Sequence, residues 1–211
     1  MKRKREETET TFKIVLFGDG CTGKSTLFNF MKNLSNDEYQ FNKAYQATEN
    51  FDFERVTLDT NVGKVVIDLW DTAGQENYGG KLRDAYLKGA DGVLLLYDVS
   101  EVSTKENILN WIEQVKDVVP EVPVAVLGNK SDKFQTLQQN ESVKFRDCIL
   151  QKMYGSKNIK NFLISIKENT NINFTSEYFG WKTNIQEVDG CLPGLEYILD
   201  KLLRADIKIE Y

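Results

Sequence analysis

The sequence predicts an α/β fold: a six-stranded, mostly parallel sheet with one antiparallel strand and helices on both faces. Three observations carry it. Strand-like and helix-like segments alternate along the chain, as in βα units. The runs at residues 93–97 (VLLLY) and 122–127 (VPVAVL) are continuously apolar, as suits strands covered on both faces. Between the first strand and the first helix stands Gly18-Asp19-Gly20-Cys21-Thr22-Gly23-Lys24-Ser25, with Thr26 next. It matches G-x-x-x-x-G-K-[ST] in the strand–loop–helix setting that gives the pattern its meaning.

The elements follow in order. Residues 1–11 are polar and charged and are expected as a disordered tail. The run Lys2-Arg3-Lys4-Arg5 inside it reads as a nuclear localisation signal or a patch for an acidic partner, and equally as a solvated end. Residues 12–17 read as a buried strand and 25–32 as a helix. Residues 51–60 and 63–70 are two strands joined through Asn61-Val62-Gly63, a hairpin that supplies the antiparallel strand. After the strand at 93–97, Ile108, Ile112, Val115 and Val119 mark one face of a helix. The strand at 122–127, a helix over 141–153, a last strand at 161–164 and a closing helix through Leu195, Ile198, Leu199 and Leu202 complete the pattern. The expectation is one domain over 12–205 with insertions near 133–160 and 168–190, then a short tail at 206–211.

Composition excludes several chemistries. The chain has 211 residues and no histidine, which removes serine–histidine and cysteine–histidine hydrolases and histidine-held zinc or iron. Its 27 basic and 32 acidic residues leave a net charge of -5, against direct nucleic-acid binding as the main task. Cys21, Cys148 and Cys191 are scattered and odd in number, so neither a disulfide framework nor a cysteine zinc site is expected, and a reducing compartment fits. No apolar run approaches the roughly 18 residues of a spanning helix. No apolar leader follows the basic start, and neither Lys2 nor the cysteine-free end offers a lipidation site. The expected protein is therefore without a membrane anchor; it is also expected as a monomer.

The motifs carry phosphate and metal chemistry. A loop wrapping a triphosphate needs glycines so that backbone N–H groups can point inward, with a helix N-terminus adding positive potential. Lys24 would bridge the β- and γ-phosphates and Ser25 would ligate Mg²⁺. Asp71-Thr72-Ala73-Gly74-Gln75-Glu76 follows a strand ending in Leu69-Trp70. A carboxylate there can hold Mg²⁺, Gly74 lets a backbone N–H approach the γ-phosphate, and Gln75 can orient the attacking water. Taken alone, Asp71 reads equally as a helix cap. The third element is Asn129-Lys130-Ser131-Asp132 at a strand end. The Asp132 carboxylate can accept from both N1–H and the exocyclic amino group of guanine, which adenine does not offer. Asn129 can bond the other base edge and the Lys130 stem can lie along the base. An ordinary surface turn is the plain alternative for those four residues.

In these residues the chain resembles the small Ras-type GTPases, and most of all their Ran branch, over residues 12–167. Gly18-Asp19-Gly20, Tyr45-Gln46-Ala47-Thr48, Trp70 to Glu76, Gly79-Gly80, Leu82-Arg83-Asp84 and Asn110-Trp111 carry the match. The resemblance implies a P-loop GTPase fold that binds GTP and GDP with Mg²⁺. It implies that Thr48 ligates Mg²⁺ and contacts the γ-phosphate, that Phe41 packs edge-on against guanine, and that Tyr45 closes over the phosphates. It also implies that Ser165-Ile166-Lys167 meets the guanine carbonyl. Phe41 has a second reading as a core phenylalanine.

Departures from the Ran pattern are Cys21 in place of glycine, Glu49-Asn50 after Thr48, an extra Lys81, and added sequence over 133–164 and 169–190. No arginine lies between Phe41 and Asn50, so intrinsic hydrolysis is expected to be slow and to need an activating protein. The implied partners are a GTPase-activating protein, an exchange factor and transport receptors of the importin-β class, with residence in nucleus and cytoplasm. Two other readings stay open: a non-hydrolysing scaffold of the same fold, and a Rab-like trafficking GTPase.

Overall fold

A computed structural model describes residues 11–34, 51–72, 80–136, 158–175, 184–189 and 192–209. β1 (Thr11–Phe17) leads through the glycine-rich loop into α1 (Lys24–Lys32). β2 (Phe51–Thr60) and β3 (Gly63–Thr72) form the hairpin; α2 (Gly80–Leu87), β4 (Gly92–Asp98), α3 (Val102–Val118) and β5 (Val124–Asn129) follow. A 3-10 turn (Ser131–Thr136), β6 (Ile159–Ser165), β7 (Thr170–Thr175), β8 (Asn184–Asp189) and α4 (Pro193–Leu203) complete the described elements.

The strand order is β2-β3-β1-β4-β5-β6-β7-β8. β1 runs parallel to β3 on one side and β4 on the other, with Leu16 beside both Asp71 and Leu94. The chain therefore leaves β1 first toward one edge and later toward the other. That makes the carboxyl end of β1 a topological switch point, where open α/β sheets form their ligand crevices. Alternation along β1 divides the core. Ile14 and Leu16 face Leu27, Phe28 and Met31 of α1 and Leu195, Ile198 and Leu199 of α4. Val15 and Phe17 face the other layer, with Ile108, Ile112 and Val115 of α3. Each such buried side chain contributes roughly 1.5–3 kcal/mol of transfer free energy, which holds the loop after β1 in a rigid frame.

The six expected strands form the heart of the sheet, including the antiparallel pairing of β2 with β3. Two further strands were not foreseen. β7 and β8 arise from the segment expected as an insertion and extend the sheet to eight strands, each by an antiparallel pairing. The strand expected at 122–127 begins at Val124 instead, because Pro123 has no N–H for the ladder and Val122 closes a turn onto the Val119 carbonyl at 3.2 Å. α3 stops at Val118: Val119 precedes Pro120 and takes φ -137°.

The expected tail is also tied down. Ile207 and Ile209 are buried, Lys208 N–H donates to Asn61 Oδ1 at 2.8 Å, and Thr60 bridges Ile209. Apolar residues at alternating positions let this extended stretch bury one side against the hairpin. The expected helix at 141–153 lies outside the described residues.

Candidate nucleotide-binding site

The loop after β1 is shaped by two glycines at positive φ where any side chain is strained. Gly18 takes φ +123°, and a Cβ there would lie 2.2 Å from the Leu96 carbonyl oxygen. Gly23 takes φ +103°, and a Cβ would lie 2.3 Å from Asn129 Nδ2. Between them Thr22 Oγ1 donates to the Asp19 carbonyl at 2.9 Å. Lys24, in the first turn of α1, donates from Nζ to the carbonyls of Gly18 (2.9 Å) and Asp19 (2.6 Å). Burial pushes the Lys24 amine down to about 8, against the opposing pull of the Asp71 and Asp19 carboxylates. A cation kept in a buried loop of this kind suits an anionic ligand.

Ser25 and Thr26 follow, half-buried, in the same turn, with Gly20 at the crest of the loop and Cys21 exposed beside it. Asp71, 1% exposed, is the penultimate residue of β3, beside Leu16 near the end of β1, where its charge reaches Lys24. Thr72 Oγ1 ties that strand end to the Leu16 carbonyl at 2.8 Å. Among the described residues no cluster of three or more histidine, cysteine or acidic side chains could hold a metal unaided. A hydroxyl and one carboxylate, both hard oxygen donors, instead match the sparse protein share of a Mg²⁺ site completed by phosphates and water.

The Asn129 side chain joins three segments: Nδ2 donates to the Thr22 carbonyl at 2.9 Å, and Oδ1 accepts the Ile166 N–H at 3.3 Å. Lys130, at φ +66°, donates to the Cys21 carbonyl at 2.8 Å and pairs with Asp98 at 2.6 Å. Burial works to raise the Asp98 carboxyl, but hydrogen bonds from Lys130 and Ser100 outweigh it and hold the group below its usual range. Asp132 lies in the first turn of the 3-10 segment with its side chain 19% exposed; Oδ1 accepts from Ser165 Oγ at 2.7 Å, and Lys167 Nζ lies 3.8 Å from Oδ2. Lys167 also pairs with Glu168, the main reason its amine sits above its ordinary value.

The structure thus gathers the residues of Gly18 to Thr26, Asp71, Asn129, Lys130, Asp132 and Ser165 to Lys167 at one end of the sheet. Phe41, Tyr45, Thr48, Gly74 and Gln75 lie outside the described residues. Sequence reasoning missed Asp98, whose role as anchor of Lys130 had only its place at the end of a buried strand as a signal. It also missed Asn107, which donates to Asp19 Oδ2 of the loop at 3.0 Å and has no motif of its own.

A glycine-shaped loop between strand and helix, a buried lysine inside it and a carboxylate at the neighbouring strand end define a P-loop nucleotide-binding protein of the α/β class. The family model of the Ras family matches residues 13–180. The chain belongs to the Ras family, and its domain is that of a small GTPase switch, a class that binds GTP and GDP with Mg²⁺, hydrolyses GTP, and works with activating and exchange proteins. Among the described residues no helix is long and apolar enough to cross a membrane.

Proposed function

We propose that the chain is a guanine-specific, Ran-like switch that hydrolyses GTP slowly on its own and is reset by an activating protein. The observation that carries this reading is the Asn129 side chain, which bonds the phosphate loop and the 165–167 loop together with Asp132 three residues away. A base placed between Asp132 and Ile166 would then sit at a fixed distance from phosphates held by the loop.

In this reading the backbone N–H groups from Gly20 to Ser25 and the Lys24 ammonium stabilise charge that spreads over the β- and γ-oxygens as water attacks and phosphate leaves. Ser25, Thr48 and Asp71 would hold Mg²⁺, which would neutralise phosphate charge. Gln75 orients the water. Thr48 and Gly74 sense the γ-phosphate, so its loss releases the two segments that carry them. Phe41 and Tyr45 close over base and phosphates, and the absence of an arginine between them and Asn50 supports a low intrinsic rate.

Beside the first of those segments, Phe51 and Phe53 are 47% and 42% exposed at the start of β2. Their rings lie 5.4 and 5.2 Å from that of Trp70. An exposed aromatic cluster next to a nucleotide-sensing loop supports partner binding there. Importin-β-class receptors, and work in transport between nucleus and cytoplasm, rest on the Ran resemblance of Tyr45 to Thr48 and Trp70 to Glu76.

The test is to denature purified protein and identify the released nucleotide by ion-exchange chromatography, then follow added GTP over time. GDP near one per chain and slow conversion of GTP are expected. Retained GTP with no conversion would favour a non-hydrolysing scaffold; adenine nucleotide or an empty site would overturn the reading.

A further inference from the structure

An acidic side chain inside a loop that wraps phosphates is an electrostatic liability, yet Asp19 occupies the second position of this one. The structure shows where the charge goes. Asp19 is only 6% exposed, and both carboxylate oxygens are turned to α3. Oδ1 accepts from Trp111 Nε1 at 2.8 Å and Oδ2 from Asn107 Nδ2 at 3.0 Å. The two donors are four residues apart and so share one face of α3. We propose that Asp19 is a positioning residue whose carboxylate latches the phosphate loop to α3 through Asn107 and Trp111, and thereby sets how long a nucleotide stays bound. The proposal rests on the reading of this loop as the nucleotide site.

Asp19 works in two directions at once. Its side chain holds α3, while its carbonyl accepts both Lys24 Nζ at 2.6 Å and Thr22 Oγ1 at 2.9 Å. A shift of the Asp19 backbone therefore moves the acceptor that orients the phosphate-binding lysine. The far side of the latch is rigid, because the Trp111 ring packs edge-on against Phe17, the last residue of β1, with centroids 4.9 Å apart at 76°. Both hydrogen bonds reach an ionised acceptor, the stronger kind. Strand, loop and helix are thus closed into a ring through the Asp19 side chain. The buried carboxylate also favours the charged form of Lys24. A partner that drew α3 away from β1 would slacken the loop without touching the nucleotide.

The experiment loads full-length protein with a fluorescent GDP analogue and measures its release into excess GDP at fixed Mg²⁺. W111F keeps a ring beside Phe17 but removes the donor, and N107A removes the other. Each should speed release roughly tenfold, as expected for losing a hydrogen bond to a charged acceptor. D19N should behave similarly, and N107D, which sets a second carboxylate against the first, should be worse. The double variant D19N/N107D reverses donor and acceptor, so release should return toward the wild-type rate; mere damage to packing gives no such rescue. Thermal melts of the loaded variants separate faster release from unfolding. Wild-type release rates in W111F and N107A, or a double variant as fast as its singles combined, would overturn the latch while leaving nucleotide binding intact. A wild-type protein that takes up no GDP analogue would overturn the nucleotide reading and the latch with it.

Discussion

The phosphate end and the base end of the site are built on different principles. At the phosphate end the backbone does the work: Gly18 and Gly23 sit where no Cβ fits, and Thr22 and Lys24 are tied to main-chain carbonyls. At the base end the work falls to side chains. The Asp132 side chain, 19% exposed, is held by one hydroxyl, with a lysine 3.8 Å away. The phosphate end is thus rigid and indifferent to the base, whereas the base end is adjustable and selective. Asn129 is the joint between them. Rigidity stores affinity because the loop's donors need not be reordered on binding; selectivity needs only a few well-placed polar atoms.

The sharpest way to break the phosphate end is to remove its one internal cation. Lys24→Ala should weaken GDP binding by on the order of 10³-fold, since several charge-assisted contacts to phosphate are lost at once. Equilibrium dialysis with labelled GDP would measure it, and a loss under tenfold would contradict the placement of phosphate in this loop. Gly23→Ala tests the backbone itself. The methyl would meet Asn129 Nδ2 at 2.3 Å in a φ +103° conformation, so the joint must open. A loss of roughly 10²-fold in affinity and about 2 kcal/mol in stability is expected, read by titration and by urea unfolding.

At the base end, Asp132→Asn should leave phosphate binding intact while exchanging the preference for guanine for one for xanthine. Losing a bidentate contact between a charged group and a base edge is worth roughly 10²-fold. Competition of GDP with XDP for the same site measures the switch. Unchanged preference would move base recognition away from Asp132 while leaving the phosphate end as described, so the two halves of the comparison fail separately.

Much of this was legible in the sequence, and for a physical reason. Phosphate loops need glycine and lysine at fixed spacing along one continuous stretch, so Gly18 to Ser25 announces itself. The apolar runs of β4 and β5 are buried on both faces and read as strands for that reason. What was not legible is what depends on distant partners. Asn107 and Trp111 lie 88 and 92 residues from the carboxylate they hold. β7 and β8 are polar strands at the sheet's edge, where no apolar run marks them. The last described residues looked like a tail because only Ile207 and Ile209 in them are apolar, and their burial depends on the hairpin that receives them.

The smallest expected effect lies at Cys21, where the two ends touch, since its carbonyl accepts from Lys130. Cys21 takes φ +60°, the left-handed region in which a side chain costs roughly 1–2 kcal/mol relative to glycine. Glycine would relieve that strain but also add freedom to the unfolded chain, worth about 0.4–1 kcal/mol in the other direction. The net gain for Cys21→Gly should therefore be at most about 1 kcal/mol, a rise of roughly 2–4 °C in melting temperature for a domain of this size. Cys21→Ala keeps the strain and removes the thiol, so it should melt with the wild type. Equal gains from alanine and glycine would trace the effect to the exposed sulfur rather than to the backbone. In that case the rigidity of the phosphate end would not depend on strain at Cys21.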